Sequence, residues 1–248
     1  MALFEYLLRL GDNTLVLGQQ LGALTGHGPV LEEDIATANI ALDLIGQARL
    51  WLSLAAEVEG AGRDEDTLAF LRDERAFRNL LLVEQPNGDF ADTMARQFLF
   101  DAWHNELLTA LCASTEPRIA AIAAKSLKEA RYHLSHSSAW IVRLGDGTAY
   151  SRDRIQRALG RLWSFTGEMF EADAVDLELA ATGVACDPRG LRAAWQGTVG
   201  AVLAKATLPV PADAWMRSGG RRGEHSEHMG YLLAEMQHIP RSFPGARW

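Results

Sequence analysis

The sequence is poor in the residues that cross-link small proteins or anchor a chain in a membrane. It contains two cysteines, Cys112 and Cys186, which excludes a disulfide framework and a cysteine-rich metal site. It has no run of about 18 apolar residues, the length that a membrane-spanning helix needs. Glu5 and Arg9 interrupt the apolar start, and a basic leader with a cleavage motif is lacking, so a signal peptide is not expected. These absences favour a cytoplasmic protein.

Basic residues are outnumbered by acidic ones. The chain carries 24 Lys and Arg against 32 Asp and Glu, a formal net charge of −8 over 248 residues. A nucleic-acid-binding protein normally shows a basic excess or a basic stripe, and neither is visible in the sequence. The Gly-x-Ser-x-Gly, P-loop and strand-linked Gly-x-Gly-x-x-Gly motifs are also missing, which removes the common hydrolase, NTPase and dinucleotide-binding interpretations.

What the sequence does have is apolar periodicity of the helical kind. Leu3, Leu7 and Leu10 begin a stripe with helical spacing, and Phe4 and Leu8 lie on another side of the same helix. Alternating β-branched runs of strand length are absent. The pattern predicts an all-α protein of four long helices with additional C-terminal helices, in one domain over residues 1–248. The predicted helices cover 3–24, 33–57, 66–83, 90–114, 117–144, 151–172, 187–206 and 226–237.

Carboxylates on apolar helix faces raise the question of a metal centre. Four-helix bundles that bind two irons use one Glu from each of two helices and Glu-x-x-His from each of the other two. Asp43, Asp101 and Glu129 lie on apolar faces of long predicted helices, where a carboxylate is costly unless it is paired or bound. However, Gly46 and Tyr132 stand where the two histidines belong. The di-iron positions are therefore interpreted as degenerate, with the carboxylates held by hydrogen bonds or ion pairs.

A second metal geometry stays open at this point. His104 follows Asp101 by three residues, and His133 and His136 follow Glu129 by four and seven, so each set lies along one helical face. Carboxylate oxygens with imidazole suit iron or manganese. An active di-metal oxidase that uses these side chains is therefore the alternative to a chain without a metal of its own.

Two groups of cations bear on these alternatives. Lys125 precedes Glu129 by one helical turn, where a buried ammonium group would repel a divalent ion and act as an internal counter-ion. Arg221 and Arg222 lie in a glycine-rich loop and are candidates for contacts with a phosphate group. A flexible, solvated loop is the simpler interpretation of the same residues.

Several longer motifs resemble one protein family. The similarity extends over essentially the whole chain, and the family is the C subunit of the phenylacetyl-CoA ring 1,2-epoxidase, a bacterial multicomponent monooxygenase. The segments that carry the resemblance are Leu10-Gly11-Asp12-Asn13, Ala41-Leu42-Asp43-Leu44-Ile45-Gly46-Gln47-Ala48-Arg49, Asp73-Glu74-Arg75, Glu84-Gln85-Pro86-Asn87-Gly88, Asp101-Ala102-Trp103-His104, Lys128-Glu129-Ala130-Arg131-Tyr132-His133, Gly219-Gly220-Arg221-Arg222-Gly223 and Glu227-His228.

The resemblance implies a ferritin-like four-helix bundle and a non-catalytic, structural role in aerobic phenylacetate degradation. It implies a homologous catalytic A subunit that carries the di-iron centre and binds the CoA thioester, and a small B subunit. It further implies a reductase with FAD and an iron–sulfur cluster that takes electrons from NADPH. No cofactor, nucleic acid or membrane is expected for this chain itself, and self-association of the isolated chain is left open. The first helix (3–24) and the polar-free faces of the helix over 151–172 are the predicted contact surfaces for the partner.

Overall fold

The computed structural model describes residues 1–212 and 215–246, and the regular elements within these ranges are helices. The prediction of an all-α fold, with further helices after the four long ones, is confirmed. The α-helices are α1 (Ala2–Gly22), α2 (Leu31–Glu59), α3 (Glu65–Phe70), α4 (Phe90–Leu111), α5 (Pro117–Gly145), α6 (Ala149–Leu162), α7 (Ala174–Ala181), α8 (Arg192–Lys205), α9 (Glu227–Met236) and α10 (His238–Ser242).

The chain divides into two compact units. The first comprises Met1–Pro86 and the described part of Gly219–Trp248, and the second comprises the described part of Asn87–Ser218. Each unit contains one pair of the long helices, α1 with α2 and α4 with α5. That all of these belong to one domain over residues 1–248 stays a prediction.

In the first unit, α1 and α2 pack closely because glycines remove side chains from the contact. A Cβ at Gly18 would lie 3.2 Å from the carbonyl oxygen of Ala41, and one at Gly11 would lie 2.7 Å from Leu52 Cδ2. Gly11 lies beside Leu52 and Gly18 beside Ala41, so residue numbers fall on α2 as they rise on α1, and the two helices are antiparallel. Every residue from 6 to 18 is buried, as expected for a helix that is apolar on two sides.

The predicted helix over 66–83 is wrong beyond its first turns. The structure has only α3 (Glu65–Phe70), a short 3₁₀ turn at Glu74–Ala76 and then irregular but buried chain. Side chains of α1 supply the backbone partners that a helix would have supplied. Arg78 N donates to Asp12 Oδ2 at 2.8 Å, and Leu80 N donates to Asn13 Oδ1 at 2.8 Å. Tertiary hydrogen bonds have overridden local helix propensity here.

The Gly-Gly-Arg-Arg-Gly motif forms a tight turn against this irregular segment. A Cβ at Gly220 would lie 2.2 Å from the carbonyl oxygen of Asn79. A Cβ at Gly223, where φ is +79°, would lie 2.3 Å from the carbonyl oxygen of Arg75. Only glycine provides both the room and the left-handed conformation. The glycines of this motif therefore have a structural reason that is independent of any ligand.

In the second unit, α4 and α5 form the other antiparallel pair, as the short connection predicted. Asp89 caps α4 in a reciprocal capping box with Asp92, and Pro117 stands at the start of α5. The predicted helix over 151–172 ends early, at Leu162. Two 3₁₀ turns follow because Thr166 Oγ1 donates to the Trp163 carbonyl at 2.8 Å, which competes with helical continuation.

Candidate functional site

The degenerate metal positions of the first unit lie at the edge of the buried face of α2. Ile40 and Leu54 are buried, whereas Asp43 is half-buried and Gly46 is exposed. A side chain at Gly46 would meet nothing within 4 Å. Gly46 therefore supplies no side-chain atom that could bind a metal ion.

Asp101 is, with Glu168 and Asp176, one of the buried carboxyl groups among the described residues of the second unit. Gln97 Nε2 donates to its Oδ1 at 2.6 Å, and Ser137 Oγ contacts its Oδ2 at 2.8 Å. Burial raises the pKa of Asp101 to about 8, although both hydrogen bonds act in the opposite direction. The group is therefore mainly a neutral acid at pH 7. Ser137 Oγ, the donor to Oδ2, also lies 3.4 Å from the Leu134 carbonyl oxygen.

The histidines near Asp101 are divided between the interior and the edge of α5. His104 and His133 are buried, whereas His136 is half-buried and its ring stacks on Tyr132, with ring centroids 6.3 Å apart. Burial, and to a smaller extent the neighbouring His133, lowers the pKa of His104 to about 3, so this ring is neutral. Tyr132 is 54% exposed, so its side chain does not take the inward place of a ligand.

These positions do not fit a di-iron centre. Within residues 1–212 and 215–246, no three His, Cys, Asp or Glu side chains come close enough together to hold a metal ion. The misfit is also visible in the residue types, because Gly46 and Tyr132 supply no imidazole where the ligand pattern needs one. Glu129 is half-buried rather than inward-facing.

The expectation that Lys125 is an internal counter-ion is corrected. Lys125 lies on the exposed side of α5, where its long side chain keeps the ammonium group in water. Asp101 is instead contacted by the neutral donors Gln97 and Ser137. The second unit thus stabilises its buried acid by protonation and hydrogen bonds, not by a buried lysine.

The first unit does contain a buried ion pair, which the sequence interpretation missed. Asp12 is fully buried, and both of its oxygens accept from the guanidinium group of Arg72. The Arg72 guanidinium also lies 4.2 Å from the ring centroid of Phe77. A carboxylate inside an apolar helix was a signal that a cation exists, but nothing in the sequence indicated which one.

A second buried pair joins the C-terminal segment to the irregular segment after α3. Glu84 and His225 have fully buried side chains, with His225 Nδ1 3.0 Å from Glu84 Oε2. His225 Nε2 lies 3.2 Å from the Phe77 carbonyl oxygen, and Ser226 N donates to Glu84 Oε1 at 2.7 Å. The predicted start of the last helix at residue 226 is confirmed, since Ser226 is the N-cap of α9.

The candidate phosphate contacts lie in the 3₁₀ turn Gly220–Arg222. Arg222 is exposed and its guanidinium is 3.5 Å from Glu224 Oε2, while Arg221 is half-buried. A phosphate-binding role for Arg221 and Arg222 stays a prediction.

These features define an all-α protein with two antiparallel pairs of long helices. Three of its buried carboxyl groups, those of Asp12, Glu84 and Asp101, are contacted by side chains of the protein. No helix in the described residues is sufficiently long and apolar to cross a bilayer.

Comparison with known proteins identifies the family to which this all-α protein belongs. The family model "Phenylacetic acid catabolic protein" matches residues 1–248, and the chain belongs to this family. It is 58% identical over 246 residues to the C subunit of the 1,2-phenylacetyl-CoA epoxidase of Escherichia coli (strain K12), and the alignment covers 99% of each chain. The family predicted from the sequence motifs is thereby confirmed.

Proposed function

We propose that this chain is the structural C subunit of a phenylacetyl-CoA 1,2-epoxidase complex in aerobic phenylacetate degradation. In this role it holds a homologous di-iron A subunit, together with a small B subunit, and catalyses nothing by itself. FAD, the iron–sulfur cluster and NADPH then belong to a reductase component. The observation that carries the proposal is end-to-end identity of 58% with a C subunit of that epoxidase, in a chain whose metal-ligand positions are Gly46 and Tyr132.

The surface that suits a permanent partner is on α2. The predicted contact surfaces on the first helix and on the polar-free faces of the helix over 151–172 stay predictions, although residues 6–18 of α1 are buried within the chain and the outward side of α6 is polar at Asp153, Gln156 and Arg157. The α2 apolar stripe, by contrast, consists of Leu31, Ile35 and Leu42, which are 71%, 52% and 66% exposed. Large apolar side chains exposed along one helix face are typical of obligate interfaces between subunits.

We expect the purified chain to be colourless and to contain almost no iron. Elemental analysis after anaerobic reconstitution tests this, with the chain expressed alone and together with the catalytic subunit. Asp43→Ala and Glu129→Ala should leave the metal content of the isolated chain unchanged. One or two iron equivalents per chain, lost in both variants, would contradict the structural role and establish the di-metal alternative.

Leu42→Glu is expected to weaken association with the catalytic subunit by about 10- to 100-fold, because the new carboxylate must be buried without a partner. Titration of the purified subunits by calorimetry measures the effect. Leu177→Glu is the matched control, since it places the same charge at an exposed leucine of α7. Both variants should stay within about 0.5 kcal/mol of the parent in free energy of unfolding. Equal affinity for the two variants would remove the α2 apolar stripe from the interface.

A further inference from the structure

Three cations occupy the exposed side of α5 within two helical turns. Lys125, Lys128 and Arg131, here called the α5 basic face, are all exposed. They follow one another at intervals of three residues, so they project from neighbouring positions and span about 9 Å along the axis. None of the three forms an ion pair with a carboxylate of the described residues.

Several arginines of the same unit form ion pairs with carboxylates, unlike these three residues. Arg154 pairs with Asp89 at 3.3 Å, and Arg157 pairs with Asp153 at 2.6 Å. The chain as a whole has eight more acidic than basic residues, so carboxylates are not scarce. The α5 basic face therefore keeps unneutralised charge in a protein that neutralises most of the rest.

This arrangement works against the stability of the isolated helix. Lys125 with Lys128, and Lys128 with Arg131, are like-charge pairs three residues apart, which destabilise a helix. The helix α5 carries a single carboxylate, Glu129, so a structural role for all three charges within the chain would need further anions nearby. Repulsion of this kind is relieved when an external anion binds, which is the behaviour of a docking surface rather than of a supporting contact.

The surroundings suit a protein partner. Ala121 and Ala124 leave the cations unobstructed, and the exposed ring of Tyr132 adds an aromatic side chain beside Arg131. Tyr and Arg are enriched at protein interfaces. DNA carries phosphates along its whole length, so beyond the three cations it would contact other surface of a chain with net charge −8. A small acidic patch on a protein can contact the three cations alone, and salt screens its interaction with charges beyond about 8 Å.

We propose that the α5 basic face, with Tyr132, docks an acidic surface of a partner protein in a transient, salt-sensitive contact. This surface is on a different helix from the α2 apolar stripe and differs from it in chemistry. The first is charged and suited to fast, reversible encounter, and the second is apolar and suited to permanent association. The inference does not depend on the proposed function.

A glutamate-rich peptide labelled with a fluorophore serves as the probe, and anisotropy measures its binding to the full chain at 20 and 200 mM salt. We expect binding at low salt that weakens about 10-fold or more at high salt. Lys128→Glu should weaken binding at low salt by at least about 10-fold. Lys205→Glu, the same change at an exposed lysine of α8, should alter it by less than about 2-fold.

Thermal unfolding separates docking from a structural role. The triple variant Lys125→Gln, Lys128→Gln, Arg131→Gln should lose peptide binding while its Tm stays the same or rises, since repulsion within α5 is removed. A lowered Tm would assign the cations to folding and overturn the proposal. Equal losses in Lys128→Glu and Lys205→Glu, no binding by the parent chain at low salt, or tighter binding of a DNA oligonucleotide of the same charge would also overturn it.

Discussion

Asp12→Ala is expected to lower the free energy of unfolding by about 3–5 kcal/mol, because it leaves the guanidinium of Arg72 buried without its anion. Arg72 is buried, and its guanidinium group donates to both carboxylate oxygens of Asp12. Asp12 also accepts a hydrogen bond from Arg78 N. The loss therefore includes the ion pair and an anchor of the irregular segment after α3. Urea denaturation followed by circular dichroism measures it.

An exposed ion pair of the same chain provides the control. Asp153→Ala breaks the pair with Arg157, whose two side chains are mostly in water, and should cost less than about 1 kcal/mol. The milder Asp12→Asn keeps the shape of the side chain and should fall between the two alanine variants. If Asp12→Ala and Asp153→Ala were equally stable, the buried pair would contribute nothing beyond an ordinary surface contact.

His225→Gln is expected to cost about 3 kcal/mol at pH 6, since it leaves the buried carboxylate of Glu84 without its cation. The geometry requires a proton between the two groups. The Phe77 carbonyl can only accept, so His225 Nε2 must carry a hydrogen, and Nδ1 then shares a proton with Glu84 Oε2. Loss of that proton would set a ring lone pair against a carboxylate inside the protein.

The stabilisation by this pair should disappear as the pH rises. Burial of His225 acts against the charged ring, but the hydrogen bond to Glu84, its charge, the Phe77 carbonyl and Glu74 together raise the pKa of His225 above its usual value. The native state then binds more protons than the unfolded state. Stability is therefore complete below about pH 6.5, the unfolded pKa, and falls as the pH passes the raised pKa, by at most about 1.4 kcal/mol per pH unit.

Asp101 titrates in an overlapping range and must be removed from the comparison. Its pKa of about 8 is also raised, so it too makes the native state less stable as the pH rises towards 8. His104, with a pKa near 3, acts only below about pH 6.5. Denaturation from pH 6 to 9 should therefore be measured in Asp101→Asn, with and without His225→Gln. A pH slope that survives His225→Gln in this background would contradict the assignment.

The sequence predicted the long helices well and the segments between them poorly. Apolar spacing and caps such as Pro117 placed α4 and α5 to within a few residues. The segment 71–83 was misassigned because its backbone N–H groups donate to Asp12 and Asn13, side chains of α1 that are remote in sequence. The short helix α7 was missed, although Asp173 and Asp176 form a capping box that could have indicated its start.

For the candidate site, the sequence identified the carboxylates but not their partners. It correctly located a buried acid at Asp101, and it assigned the wrong counter-ion in Lys125, since a lysine one turn away can turn its ammonium group to water. The pairing of Glu84 with His225 joins residues 141 positions apart. Such pairs leave no periodic signal.

By itself, the sequence determined the all-α class, the family and the residue types at the metal-ligand positions, because periodicity and motifs are local properties of the chain. Only the tertiary structure decided how three buried carboxyl groups are neutralised: Asp12 by Arg72, Glu84 by His225, and Asp101 by a pKa that burial raises to about 8. The physical reason is that desolvation and Coulomb energies depend on distance and burial in space, and neither can be computed from separation along the chain.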